Sequence, residues 1–313
     1  MRGGGALRAV ADYLGLALVL AALTAFFALT TDHFFSLVTF RTIANQIPDA
    51  VIIATGMTFV LIIAGIDLSV GSILALSGAV LGVAIAIWQW PIFLAVPLCV
   101  AVGLACGAVN GVMVAAWRLP AFIVTLGMLE AARGGAYLVT GSKTQYIGAR
   151  VEWIADWQLF GLSLPFLTAL VVVALGHLTL GYTLFGRRMY AVGGNEEAAR
   201  LSGIAVGRVK VGVYTLCGGL AGLAAVIHCA RMSAADPNAG IGYELQAIAA
   251  VVIGGTSLLG GRGSVVNTFI GVIVIAVLEN GLVQLGAHDP VKRLVTGAVI
   301  IIAVVLDYYR RRV

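Results

Sequence analysis

Contiguous apolar runs separated by short polar turns fill the chain from Tyr13 to Leu306. Ten of them approach the ~20 residues a helix needs to cross a bilayer core, namely 12–30, 49–65, 68–88, 91–116, 120–140, 161–182, 209–230, 243–259, 264–286 and 290–308. The apolar positions are continuous rather than alternating, which favours helices and excludes the alternating pattern of a β-barrel. The expected fold is all-α, a polytopic helical membrane protein with about ten transmembrane helices in a single domain spanning 1–313. The first run follows Arg2 and Arg8 but is too long for the apolar core of a signal peptide and lacks a small-x-small cleavage site, so it reads as a retained span. An amphipathic piece, FFSLVTFRTIANQIP at 34–48, is expected at the membrane interface.

Two spans are short. Ala50 to Gly65 gives about 24 Å of helix against a core of roughly 30 Å, and the run from Tyr243 to Gly255 is shorter still. Both end in polar, glycine-rich turns, AGIDLSVGS at 64–72 and GGTSLLGGRGS at 254–264. Short, glycine-interrupted segments point to a solute pathway built from broken helices. In the first turn, Asp67 either binds a polar solute or gates the path, or else it caps the third span together with Ser69. Thr256 and Ser257 occupy the second turn. Asn110, among Gly103, Gly107 and Gly111, predicts close helix packing with an amide across it. Glu130 and Arg133 stand i, i+3 and are placed to neutralise one another. Glu279 and Asn280 have no basic neighbour in their own helix, and read either as pathway groups or as a helix–helix contact.

One long stretch breaks the apolar pattern. Residues 185–210 read FGRRMYAVGGNEEAARLSGIAVGRVK. Asn195 is placed to cap a short helix, with Glu196 and Glu197 in the first turn, where negative charge suits the helix dipole. Ala198, Ala199, Arg200 and Leu201 favour helix, and Gly203 can close it in a left-handed turn. Ala198, Leu201 and Ile204, at i, i+3 and i+6, predict an apolar stripe facing a groove on a soluble partner.

Only 11% of residues are charged, against about a quarter in soluble domains, so a water-soluble fold is excluded. The net charge of +5 is better explained by basic inside loops than by nucleic acid. With the N-terminus inside, twelve basic residues fall inside (Arg2, Arg8, Arg118, Arg187, Arg188, Arg200, Arg208, Lys210, Arg262 and Arg310 to Arg312). Six fall outside (Arg41, Lys143, Arg150, Arg231, Lys292 and Arg293), and Arg133 lies within a span. That balance predicts an even number of spans, both termini and the 185–208 loop cytoplasmic, and a periplasmic loop at 141–160. Trp153 and Trp157 in that loop suggest an interfacial segment.

Cys99, Cys106, Cys217 and Cys229 lie in or beside apolar spans without CxxC spacing, and read as small core residues. His33, His177, His228 and His288 are scattered and form no metal set. No phosphate-binding glycine loop is present, so any nucleotide that drives transport belongs to another chain.

The segments GMTFVLIIAGIDLSVGSILALSGAV (56–80), LPAFIVTLGM (119–128), RRMYAVGGNEEAARLSGI (187–204) and VVIGGTSLLGGRGSVVNTFIGVIVIAVLENGL (251–282) occur in one order. Together they resemble the permease subunits of bacterial ribose-type importers of the ATP-binding-cassette class, a superfamily that includes branched-chain amino-acid permeases. The resemblance covers residues 40–305. It implies an inner-membrane permease that pairs with a second copy, contacts a sugar-import ATP-binding subunit and receives solute from a periplasmic sugar-binding protein. ATP and Mg²⁺ would be held by that partner subunit, and this chain, which is not an enzyme, would bind no cofactor or metal. The family's loop of the form GGNxxAARLSGI matches residues 193–204, and carries a coupling role onto Asn195, Glu196, Ala198, Ala199, Arg200, Gly203 and Ile204. One departure is Ala64, where the family has glycine, and it is expected to alter packing slightly. The alternatives are an ion-coupled secondary transporter, which would need Asp67, Glu130 or Glu279 to titrate, and an importer subunit for a different small polar solute such as an amino acid.

Overall fold

The computed structural model describes residues 3–31, 34–159 and 161–310. Arg2, His33, Arg311 and Arg312 lie outside the described residues, as do the side chains of Arg8, Arg293 and Arg310. In chain order the helices begin with α1 (Gly3–Thr30), α2 (Leu37–Gln46), α3 (Pro48–Ile62), α4 (Val70–Ala86) and α5 (Ile92–Ala116). They continue with α6 (Ala121–Thr140), α7 (Ala149–Asp156), α8 (Leu164–Tyr182), α9 (Leu184–Gly194) and α10 (Glu196–Leu201). The last four are α11 (Val206–Met232), α12 (Tyr243–Ile253), α13 (Val265–Gln284) and α14 (Asp289–Arg310). Two-residue strands β1 (Gln145–Tyr146), β2 (Gln158–Leu159), β3 (Leu162–Ser163) and β4 (Ala234–Ala235) pair antiparallel as β1 with β4 and β2 with β3.

Every apolar run holds a helix, but not every helix is long enough to cross a membrane. Among the described residues, α5, α6, α8, α11 and α13 are long and apolar enough alone, and α2 with α3, bent by 50°, would make a sixth. Helices α4 and α12 are shorter apolar helices, and of α1 only the side chains of Leu14–Thr30 are described. The count of ten therefore stays an expectation. The bend between α2 and α3 falls at Pro48, which starts α3 at a position where its missing N–H costs nothing.

The centre of the bundle is α3, α4 and α11. From Val51 to Ile62 every residue of α3 is buried, as expected of a helix that is apolar on all sides. Helices α5 and α11 meet along small residues. A β-carbon on Gly103 or Gly107 would strike the backbone of Gly218 or Tyr214, and one on Gly218 would strike Gly103 and Gly107. The close packing read around Asn110 is thus formed, with Asn110 itself turned away toward Ser69. Leu, Val and Phe side chains on the outer faces of α5, α6 and α8, such as Phe93, Leu94, Phe122, Ile123 and Val171, are exposed and suit lipid.

The loops sort into two groups by contact. In one, the 254–264 turn meets the end of α3, through Gly261 N donating to Ile62 O at 2.9 Å, and meets α9, through Tyr190 OH donating to Gly263 O at 2.8 Å. In the other, Ile147 N donates to Ser233 O at 2.9 Å, and Arg150 donates to Ile85 O and to Gln89 Oε1. Arg231 joins this group by donating to Gln46 O at 3.0 Å. The 141–160 loop carries the short helix α7, with Trp153 and Trp157 exposed.

Candidate functional site

The polar 185–208 stretch holds two helices rather than one, because Thr183 caps α9 by accepting the Gly186 N–H at 3.1 Å. Asn195 then ends α9 and starts α10, its Oδ1 accepting the Ala198 N–H at 2.9 Å. Gly203, with φ 81, closes α10 in the left-handed region as its sequence position predicted. The helix does not float free of its chain. Lys210 Nζ lies 2.7 Å from Glu196 Oε2, Arg200 pairs with Glu196 at 3.2 Å and Glu197 at 3.4 Å, and Ala199 is buried. Burial pushes the Glu196 carboxyl up, but the hydrogen bond and charge of Lys210 and the charge of Arg200 outweigh it and hold its pKa below the ordinary value.

The expected apolar stripe is only partly formed. Leu201 is 82% exposed and Ala198 is exposed, but α10 stops at Leu201, so Ile204 lies beyond Gly203 and packs against the core instead. The sequence reading missed a second exposed leucine close to the end of α9. Leu259, in the 254–264 turn, is 76% exposed, and its neighbour Gly260 abuts Gly193 and Ala64. A leucine pair running into two glycines in a polar turn was the available signal. Gly193 lies so close to Ile62 O and Gly261 N that any side chain there would collide. The end of α9, the end of α3 and the second glycine-rich turn thus form one packed knot directly beneath α10.

Across the break between α3 and α4, Asp67 and Ser69 are fully buried. Asp67 Oδ1 accepts the Ser69 N–H at 2.9 Å and the Ser69 hydroxyl at 2.5 Å, and Ser69 Oγ accepts from Asn110 Nδ2 at 2.9 Å. Thr125 on α6 completes the clamp by accepting the Leu68 N–H at 3.1 Å. The capping expectation is corrected here. Ser69 occupies the position before α4 but its side chain bonds no N–H of that helix, because its hydroxyl is held by Asp67 instead. Asp67 Oδ2 and Asn110 Oδ1 have no partner among the described residues, and the same is true of Thr256 Oγ1 in the second turn. Ser257 turns back on its own loop, its Oγ accepting the Leu259 N–H at 3.2 Å.

Glu130 and Arg133 do not pair. The Arg133 guanidinium donates to Pro237 O at 2.6 Å and Ala239 O at 2.8 Å, while Glu130 is exposed. Buried carbonyls in the 236–242 loop have a stronger claim on the guanidinium than a carboxylate facing outward. Glu279 accepts from Gln246 at 3.4 Å, and Asn280 donates to Gln46 Oε1 at 3.3 Å, so both make helix–helix contacts. Nearby is a cluster that the sequence reading did not find. Asp49, in the first turn of α3, is buried with Arg231 Nη1 at 2.9 Å, His228 Nδ1 at 2.9 Å and Tyr243 OH at 3.3 Å. An acid directly after Pro48 at the head of an apolar run was its only trace in the sequence.

The chain is similar to known transport proteins over nearly its whole length. A family model described as "Branched-chain amino acid transport system / permease component" matches residues 39–304. The ribose import permease of Escherichia coli (strain K12) is 42% identical over 295 residues, covering 93% of this chain and 92% of the relative. The ribose import permease of Bacillus subtilis (strain 168) is 43% identical over 262 residues, 82% of this chain and 80% of the relative. The fructose import permease of Rhizobium meliloti is 36% identical over 310 residues, 95% of this chain and 85% of the relative.

Proposed function

Because the chain belongs to this family of transport-system permease components, we infer that it is the membrane subunit of an ATP-driven importer for a monosaccharide. It is an integral inner-membrane protein and carries no catalytic constellation of its own among the described residues. ATP and Mg²⁺ are held by a partner ATP-binding subunit, a periplasmic sugar-binding protein delivers the solute, and a second permease copy completes the pathway. The observation that favours coupling through α10 is its placement. Exposed Leu201 projects beside the knot that joins Gly193 to Ile62, Ala64 and Gly261, so a push on α10 is passed to both broken-helix turns. Asp67, Ser69, Asn110 and Thr256 lie in or against those turns and form the polar part of the pathway that this motion rearranges.

Coupling is tested by Arg200→Glu, Leu201→Asp and Leu259→Asp. All three side chains are exposed, so membrane abundance is expected to stay near wild type. Solute-stimulated ATP hydrolysis and uptake should fall by about tenfold or more, since charge placed in an apolar contact leaves a desolvated group unpaired. Wild-type hydrolysis and uptake at normal abundance would remove α10 and its turn from the coupling role. Uptake driven by an ion gradient without the ATP-binding subunit would favour a secondary transporter.

A further inference from the structure

After α11 the chain does not simply cross back as a helix. Ala235 in β4 packs against Gly82 near one end of α4, whereas Gly240 packs against Gly71 in its first turn. Those two glycines are eleven residues apart, about 16 Å of helical rise. Residues 236–242 therefore descend along α4 in irregular form, and α12 starts only at Tyr243, which is why that span looked short in the sequence. Irregular backbone at this depth is tolerated only where it is buried in protein or lines a water-filled cavity.

The polar groups of this segment are unevenly satisfied. Arg133 takes the Pro237 and Ala239 carbonyls, Tyr137 OH donates to Asn238 Oδ1 at 2.7 Å, and Asp236 Oδ1 accepts the Asn238 N–H at 2.9 Å. The N–H groups of Gly240 and Ile241 find no acceptor among the described residues. Gly240 is buried and held at φ 70, so its donor cannot turn away without breaking the contact with Gly71. Glu244 brings its carboxylate against Gly71 at the same level, while Asn238 and Ile241 are exposed. The two free backbone donors and the Glu244 carboxylate make a hydroxyl-binding set, while the Asn238 amide is already bonded to Tyr137 and Asp236. Arg133 Nη1 is held by the Pro237 and Ala239 carbonyls.

We propose that the Asp236–Gly242 segment, with Arg133 on α6 and Glu244 on α12, forms a water-lined station of the translocation route that hydrogen-bonds the hydroxyls of an uncharged monosaccharide. This rests on the importer reading, and fixes where in the chain the sugar is handled. Arg133 acts as a positioning residue that holds the loop carbonyls, so that the Gly240 and Ile241 donors face the route.

The test uses the whole importer in cells, with the four native cysteines of this chain replaced by alanine. Asn238→Cys and Ile241→Cys are each treated with a water-soluble thiol reagent, and Val171→Cys on the exposed face of α8 serves as the lipid-facing control. Both loop cysteines should react readily and the control should not. D-ribose, D-fructose or D-allose at about nine times its half-protecting concentration should slow the loop reaction by about tenfold, since the unoccupied fraction is the reciprocal of one plus the ratio of sugar concentration to Kd. Loop cysteines as unreactive as Val171→Cys, in cells that still show ATP-driven uptake, would overturn the station and leave the importer reading standing. Protection by L-leucine but by none of the sugars would overturn the ligand class. Independently, Glu244→Ala should raise the half-saturating sugar concentration by about tenfold at unchanged abundance, and an unchanged value would remove Glu244 from the station.

Discussion

Ala64 has φ 58, a left-handed backbone conformation that costs a residue with a β-carbon roughly 1–2 kcal/mol. The departure from glycine at this position is therefore a matter of backbone strain as well as packing, since the Ala64 methyl also presses on Gly260. Ala64→Gly should raise the thermal midpoint of the purified protein, with a gain of about 0.5–1 kcal/mol after the greater freedom of the unfolded chain is counted. A lowered midpoint would show that the methyl contact outweighs the strain. Three residues on, Asp67 poses a different question. Asp67→Asn keeps the Oδ1 acceptor that Ser69 uses, so membrane abundance should hold. Uptake per molecule should nonetheless fall several-fold, because the substitution puts an amide donor where the buried Oδ2 now has no hydrogen-bond partner among the described residues. Abundance and uptake measured on the same membranes decide it, and unchanged uptake per molecule would reduce Asp67 to a structural brace.

At the scale of elements, α10 is held on the body of the protein by the Lys210–Glu196 pair together with the buried Ala199 side chain. Because the Glu196 pKa is depressed, the contribution of this pair is fully present above the carboxyl's ordinary value of 4.5 and is lost as pH falls through its lower folded value. Amide exchange across 196–201 should accordingly be constant through the neutral range and quicken in acid beyond the intrinsic pH trend. Lys210→Ala should produce the faster exchange already at neutral pH. The effect will be small, under about 1 kcal/mol, because Glu196 is partly exposed and solvent screens the pair. Exchange indifferent to Lys210 would mean that Ala199 packing alone holds the helix.

For the whole molecule, the balance of basic residues leads us to expect the two sets of loops linked by hydrogen bonds on opposite sides of the bilayer. Arg200→Cys is expected to react with an impermeant thiol reagent only from the cytoplasmic side, and Lys143→Cys only from the periplasmic side. Reaction of both from one side would break the proposed orientation of termini and loops. At the knot of Ile62, Gly193 and Gly261, the ends of α3 and α9 meet the second glycine-rich turn.

Hydrophobic content and period settled the helical membrane class from sequence alone, because in lipid only helices and closed β-barrels satisfy backbone groups and the apolar runs do not alternate. Local chemistry also determined the Asn195 cap, the Gly203 turn and the glycine seam on α5, each of which depends on residues near one another in the chain. The family resemblance was equally legible, since its motifs are contiguous segments. Tertiary structure alone decided which partner each polar side chain takes. Arg133 prefers carbonyls about a hundred residues away to the acid one turn before it, and Asp49 draws its partners from α11 and α12. It also decided that the turns at 64–72 and 254–264 touch, and that residues 236–242 dip along α4 instead of continuing a helix. Spacing along a chain constrains neighbours within a turn or two of helix, whereas these contacts depend on how separate helices come together.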